Sequence, residues 1–565
     1  MKKFKIGLLI MAAAAVFCCT GCFNLDEEVY SEITEESFTA SQEDIVALMG
    51  GAYVPLQFIM DWQGLFDCQE EPGDIIITPV RPNGWDDGGT YQRMHKHTWT
   101  PEAWQSQNVY ETCFFGINRA NSVKDEIEAG KYEMDEELKA ATVDELRAVR
   151  ALWYSILLDT HGNVPIVTTF SAELPVQATR QQVYDFVVTE FTEILTAGRL
   201  SKTADVLSYG RLNHWGVMMA LMRVYLNAEV YTGTPQWGKA LDYANEIINS
   251  GVYSLAADYS DNFKVELGPS NPEVIFAVPY DGKYYSRTFC QSAKWYPPIA
   301  RNHFGWDYQT WGGSCANPQF IKSYAEGDPR LEKTWMIGPQ MEKDDPNTVV
   351  WTCLNYLPSL TCKNDAGESM TNIDFGYRVN KFEKDLETEF YWSNDFPYFR
   401  LAEAYLAKAE CLLRMNQDEG DAVIAVNTVR QRSVDPAPAI TLADLKGNTK
   451  IKYGKLGWGS LTLQQWKDVK DGVKTWADFP DLENSQPLIQ SGSDGAAVTL
   501  GGLYDEWGWE FACEAQRRTQ MIRFGTYSTR NWFNHDAITD GHTKLFPIPM
   551  NALNSNSNLT QNTGY

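Results

Sequence analysis

Apolar residues along the first half of the chain recur at helical spacing. From Asp144 to His161, Leu146, Val149, Ala151, Leu152, Ile156 and Leu157 build a buried face, and Gly162-Asn163 with Pro165 beyond supplies the stop. Arg180 to Leu195 repeats the pattern with Val183, Phe186, Val187, Phe191 and Ile194. Two more helices are predicted over His214 to Tyr231 and Trp237 to Asn249, divided by the turn Thr232-Gly233-Thr234-Pro235. A later pair is predicted over Arg400 to Met415 and Asp421 to Arg432.

Small residues punctuate these pairs: Ala220 and Ala228, Ala240 and Ala244, Ala404 and Ala407, Ala422 and Ala425. They let neighbouring backbones approach closely, as in tetratricopeptide repeats of ~34 residues. The pairs lie far apart in sequence, so the expectation is a mainly α fold built on an interrupted array of helical hairpins. Generic hairpins would leave the same pattern. Between Asp258 and Pro397 the chain turns to Gly, Pro, Asn and aromatics, with strand-like pieces such as Val274 to Val278. Pro436 to Gly502 is similar. Long loops on a helical frame are where binding usually sits.

The amino terminus reads as a targeting segment. Lys2, Lys3 and Lys5 precede the apolar run Ile6 to Phe17, which is too short to span a bilayer. Cys19-Thr20-Gly21-Cys22 then resembles a bacterial lipoprotein signal, with residues 1–21 removed and Cys22 acylated. Two or more acyl chains, at about 0.8 kcal/mol per buried methylene, would tether the protein firmly. Phe23-Asn24-Leu25-Asp26-Glu27-Glu28 is similar to the export signal of some cell-surface lipoproteins, although such acidic runs also serve as plain linkers.

Composition narrows the partners. The 48 basic and 74 acidic residues leave a net charge of −26, which repels nucleic acid and anionic lipid surfaces. Neutral ligands and proteins fit better. The scattered cysteines show no C-x-x-C metal spacing. Cys353 and Cys362 could close a loop, but a buried free thiol is the commoner state.

A neutral sugar offers flat C–H faces to aromatic rings and hydroxyls to fixed donors and acceptors. Two segments suit it. In Pro82 to Arg93, glycines make a loop that carries Trp85, Asp86, Asp87, Tyr91 and Arg93; packing of Trp85 onto the core is the competing expectation. In Tyr284 to Trp311, Tyr285, Trp295, Tyr296, Trp306, Tyr308 and Trp311 stand among prolines and glycines, and some must be core. Trp295, Trp306 and Trp311 are the candidates there. Trp458, Trp466 and Trp476 are expected to pack, as are Trp153, Trp215, Trp237, Trp507 and Trp509.

Catalytic patterns are sparse. Adjacent Asp86 and Asp87 give neither carboxyl a reason to keep its proton, as a glycosidase acid requires. No G-x-S-x-G or H-E-x-x-H occurs. His95 and His97 could share a strand face and ligate metal, but no third ligand is evident and a solvated pair is the plainer expectation. No enzyme activity, metal or cofactor is expected.

Three blocks carry a family resemblance. Arg400-Leu401-Ala402-Glu403-Ala404-Tyr405-Leu406-Ala407-Lys408-Ala409-Glu410 and Ala425-Val426-Asn427-Thr428-Val429-Arg430-Gln431-Arg432 form the first two. The third is Leu545-Phe546-Pro547-Ile548-Pro549 with the ending Leu559-Thr560-Gln561-Asn562-Thr563-Gly564-Tyr565. Together the chain resembles the RagB/SusD family of nutrient-binding outer-membrane lipoproteins. Cys513 and Ala515 depart from the usual Phe and Gly, swaps that concern packing.

The resemblance implies a tetratricopeptide-like frame with a loop-rich, variable ligand face. It divides the chain into the signal (1–21), an N-terminal helical region (22–257), a loop-rich region (258–397) and a C-terminal region completing the frame (398–565). It further implies a lipid-anchored outer-membrane protein facing the cell exterior. Such a protein captures glycan and passes it to a SusC-like TonB-dependent transporter. Family members that take up peptides keep a peptide-binding lid as the alternative.

Overall fold

The helical hairpins read from the sequence stack side by side into one array. The computed structural model describes residues 42–565 apart from 82–83, 170–172, 284–290, 358, 362–372, 389–390, 458–462, 476–477, 479–487 and 492–494. The leader, Cys22, Tyr284, Tyr285, Trp458 and Trp476 therefore lie outside the described residues. The chain enters through α1 (Gln42–Tyr53), α2 (Pro55–Met60), α3 (Leu65–Glu70) and α4 (Thr90–Lys96). Then come α5 (Trp104–Glu128), α6 (Glu136–Thr160), α7 (Arg180–Ala197), α8 (His214–Leu226) and α9 (Trp237–Asn249). After the short helix α10 (Gln291–Trp295), the frame resumes with α11 (Leu401–Met415), α12 (Glu419–Arg430), α13 (Gly501–Phe511) and α14 (Arg517–Arg523).

Each frame helix packs on the next from α5 to α9, then α9 on α11 and α11 on α12. The α9–α11 contact bridges the interruption between residues 249 and 401, so an array broken in sequence is continuous in space. The small residues make this possible: Ala220, Ala240, Ala244, Ala404, Ala407, Ala422 and Ala425 are all buried. Gly116 on α5 does the same for Trp153, since a Cβ there would sit 2.3 Å from the indole. Side chains cap the starts, with Asp135 accepting from the Leu138 amide and Thr179 forming a capping box with Gln182. Helix α6 starts two turns before the predicted Asp144. The predicted helix over His214 to Tyr231 breaks at Asn227, whose carbonyl group on the side chain accepts from Arg523 at 2.9 Å.

The short strands β1 (Ile76–Ile77), β2 (Val274–Val278), β3 (Cys315–Ala316) and β4 (Phe396–Arg400) pair antiparallel, β1 with β3 and β2 with β4. The register sets Ile76 opposite Ala316 and Val278 opposite Phe396. Strand β4 runs directly into α11, and its last residue, Arg400, enters a buried ionic network. Arg400 pairs with Glu273, Glu510 and Glu514 at 2.7–3.0 Å; Arg432 reaches Glu273 and Glu510; Arg330 and Arg430 reach Glu506. Burial alone would raise the Glu510 carboxyl, but Arg432, Arg400 and Arg330 hold it well below the ordinary range. Buried ion pairs add little net stability while fixing geometry. Here they lock β4, α12 and α13 in one arrangement.

The carboxy-terminal block has an equally local explanation. The Gln561 side chain pairs with both backbone groups of Ile548, and Asn562 donates to the His161 and Phe546 carbonyls at 2.8 Å. Tyr565 donates to Leu545 and accepts from Trp99. Gly564 has φ +102° and sits on His542, so only glycine fits. The departure at Ala515 proves to concern the backbone as well as packing. Its φ is +57°, a left-handed conformation costing about 1–2 kcal/mol in a residue with a Cβ.

A tryptophan trio as the candidate binding site

Three separate segments bring tryptophans together at the surface. Trp62 lies in the turn between α2 and α3, Trp85 in the loop before α4, and Trp311 after α10. Ring centroids are 5.1 Å apart for Trp62 and Trp311, 6.4 Å for Trp62 and Trp85, and 6.5 Å for Trp85 and Trp311. Trp62 and Trp311 are half-buried, whereas Trp85 is 7% exposed and shows little more than an edge. Asp86 and Asp87, the two residues after Trp85, are exposed. Arg93, half-buried, is turned back onto its own loop, donating to the Gly88 carbonyl at 2.5 Å.

The local sequence explains how Trp85 is held. Arg81 and Gly84 exchange backbone hydrogen bonds at 2.8 and 3.0 Å. Trp85 follows with φ +66°, an unusual conformation for a bulky residue and one often found at ligand sites. Its indole N–H donates to the Trp311 carbonyl at 2.8 Å. The ring lies on Gly313, where a Cβ would come within 2.5 Å of it. Glycine at 313 is a space requirement.

The structure removes several sequence candidates from the surface. Tyr91 is 0% exposed; it packs edge-on against Trp85, and burial together with Asp67 and Glu71 pushes its phenol up. Trp295 is also 0% exposed, stacked on Phe382 and packed against Phe66, so neither face is open to a sugar. Trp306 is 7% exposed and stacks on Phe304 and Tyr308. Of these three, Tyr91 backs the trio through its contact with Trp85. Trp153, Trp215, Trp507 and Trp509 are core as expected, and Trp237 is half-buried on α9.

Trp62 was missed. The signal available was the turn Asp61-Trp62-Gln63-Gly64, an aromatic in a Gly-terminated link between two short helices.

The histidines also differ from expectation. His95 and His97 sit on α4 and its left-handed C-cap, fully inside the protein rather than solvated. Their Nε2 atoms face the carbonyls of Phe533 and Pro72, and His535 joins them, its ring 4.3 Å from that of His97. Burial lowers His95 to about 4 and His97 to about 3. Cys353 is a free, buried thiol, accepting from the Trp351 indole at 3.2 Å; Cys362 lies outside the described residues. Among the described residues no helix is long and apolar enough to cross a membrane.

A stack of helical hairpins with aromatic loops gathered at its surface defines a repeat-based binding scaffold. The chain belongs to the SusD family, whose model matches residues 272–450 and 459–565. It is 24% identical over 547 residues to the starch-binding protein SusD of Bacteroides thetaiotaomicron, covering 88% of this chain and 85% of that one. SusD-like protein P25 of Formosa agariphila is 22% identical, over 99% of this chain and 100% of its own. Among solved structures, surface glycan-binding protein A from B. thetaiotaomicron in complex with laminarihexaose superposes with a TM-score of 0.65. It shares 19% identity and covers 92% of this chain and 99% of its own. The same-named protein from Bacteroides fluxus gives 0.67 at 17% identity, over 93% and 100%. At such identities these likenesses show the fold, which is the tetratricopeptide-like helical architecture expected.

Proposed function

We propose that this protein is a cell-surface lipoprotein that binds a neutral oligo- or polysaccharide and passes it to a TonB-dependent outer-membrane transporter. The observation that carries the reading is the trio itself. Three tryptophans from three segments converge with two rings half open to solvent, and two exposed aspartates follow Trp85 in the chain. Ring faces grip the C–H faces of sugars, and Asp86 and Asp87 accept from hydroxyls. Family relatives named for starch and glycan binding support the ligand class. Nothing in the trio pairs two carboxyls in different environments, so binding without bond cleavage is the role that fits. The Cys22 lipid supplies the anchor.

Affinity electrophoresis of the detergent-solubilised protein in gels containing laminarin or amylopectin tests the reading. Retardation is expected, and Trp62→Ala with Trp311→Ala should abolish it. Unretarded migration through a panel of neutral polysaccharides would refute glycan capture, and retardation by a peptide library would then replace it.

A further inference from the structure

We propose that Lys294 is the positioning residue that couples the three tryptophan-bearing segments into one preorganised face. The inference rests on the reading of the trio as the ligand-binding face and names what holds it in register. Lys294 lies on α10, 1% exposed, among charges that no part of the binding reading uses. Its ammonium donates to Asp67 Oδ1 at 2.8 Å and Glu71 Oε1 at 2.6 Å, and lies 4.3 Å from the centre of the Tyr91 ring.

The ammonium contacts lead to two of the tryptophans, and the backbone of α10 leads to the third. Asp67 turns its other oxygen, Oδ2, to the Gln63 amide at 2.7 Å, fixing the residue after Trp62. The Tyr91 ring packs edge-on against Trp85, with centroids 5.7 Å apart. The backbone completes the set: the Lys294 carbonyl accepts from the Gly313 amide at 2.6 Å, and the Ala293 carbonyl from the Trp311 amide at 2.6 Å. Gly313 is the residue on which the Trp85 ring rests. Glu71 is itself tied to Thr78 at 2.5 Å, whose carbonyl accepts from Gln92 on α4.

A buried lysine between two carboxylates is a poor source of stability, because desolvation offsets most of the attraction and an apolar side chain would serve as well. What an apolar residue lacks is direction. The ammonium fixes two carboxylates and one ring at once, and a face built in advance binds without the cost of ordering its loops. Burial by itself would lower the Lys294 amine; Asp67 and Glu71 keep it charged.

The test uses the full chain in detergent with 5-fluorotryptophan incorporated, and 19F NMR lines assigned by single Trp→Phe variants. In the uncharged variant Lys294→Met/Asp67→Asn/Glu71→Gln, the lines of Trp62, Trp85 and Trp311 should all broaden or shift. Those of Trp153 and Trp507 should stay. The dissociation constant for laminarin should weaken tenfold or more. If that variant does not fold, Glu71→Gln alone decides the matter: it should move the Trp85 and Trp311 lines as well as that of Trp62. Unchanged trio lines, or a response confined to Trp62, would overturn the proposal. Trio lines that respond in a protein that binds no polysaccharide would support the coupling and refute the glycan reading instead.

Discussion

Two sets of tryptophans divide the loop-bearing layer: Trp295, Trp306 and Trp392 in one, and Trp62, Trp85 and Trp311 in the other. In the first, ring faces are covered: Trp295 stacks on Phe382, Trp306 on Phe304 and Tyr308, and Trp392 donates its indole N–H to Tyr308. In the second, a glycine under Trp85 and a backbone carbonyl at its N–H use up one face and the polar edge, leaving Trp62 and Trp311 partly in water. The two clusters share composition, and Trp306 and Trp311 stand close together in the chain. What separates them is the partner each ring finds. Rings enclosed by other large rings become core, whereas Trp62 and Trp311, packed on each other at the surface, keep part of their area in water.

Breaking the covered cluster should have the largest effect on stability. Trp295→Ala removes a fully buried indole and is expected to cost about 3–5 kcal/mol, read from the urea midpoint. The fraction that remains folded should still be retarded by laminarin. A small loss of stability with full loss of retardation would mean that Trp295 contacts the ligand after all.

Gly313→Ala attacks the open cluster from beneath. Its Cβ would meet the Trp85 ring at 2.5 Å, and overpacking of this kind costs about 1–3 kcal/mol. Displacing Trp85 should shift tryptophan fluorescence to the red and weaken retardation severalfold. Wild-type fluorescence and binding in this variant would show that Trp85 is not part of the face.

The back of α4 offers a sharper probe. His97 is buried among His95, His535, Tyr527, Arg518 and His542, and burial brings it from 6.5 to about 3. The unfolded chain takes up the proton first, so the His97 contribution is intact above pH 6.5 and is lost as pH falls towards 3. Between pH 7 and pH 5 that amounts to about 2 kcal/mol. His97→Asn, which tolerates the left-handed backbone at this position, should lose about 2 kcal/mol less than wild type over the same interval, measured by urea unfolding. Equal losses would place the proton uptake elsewhere.

Much of the frame was legible because a 3.6-residue period survives in any helix that buries one face. The alanines of α8, α9, α11 and α12 marked where helices touch, although the contact between α9 and α11 could not be read across the interruption. The carboxy-terminal block was legible for a different reason: Gln561, Asn562, Gly564 and Tyr565 each meet a fixed backbone group, so their identities are constrained. The site was legible only where glycine marked it. Trp85 and Trp311 stand beside glycines that forbid regular structure, and both reach the trio. Trp62 sits in a short link whose partner, Trp311, is remote in sequence. Trp295 misled because α10 is a five-residue helix in a Pro- and Gly-rich stretch, and its burial depends on Phe66 and Phe382 far along the chain. His95 and His97 misled likewise, since Pro72, Phe533 and His535 bury them from elsewhere.

Asp87→Asn completes the contrast from the opposite side. The carboxylate is exposed, its backbone has φ +40°, and asparagine accepts that conformation, so stability should change by less than about 0.5 kcal/mol. Binding should respond more than folding does. If a sugar hydroxyl donates to this carboxylate, the amide keeps an acceptor but loses the charge. A difference of roughly 0.7 kcal/mol then weakens laminarin binding about threefold. The same change removes a negative charge close to Trp85 in the chain and should relax rejection of a sulfated glucan, an effect that added salt would mask. Trp295→Ala and Asp87→Asn thus bracket the two clusters: one alters folding and spares binding, the other alters binding and spares folding. Matching effects of the two substitutions on both measurements would erase the distinction between core and face.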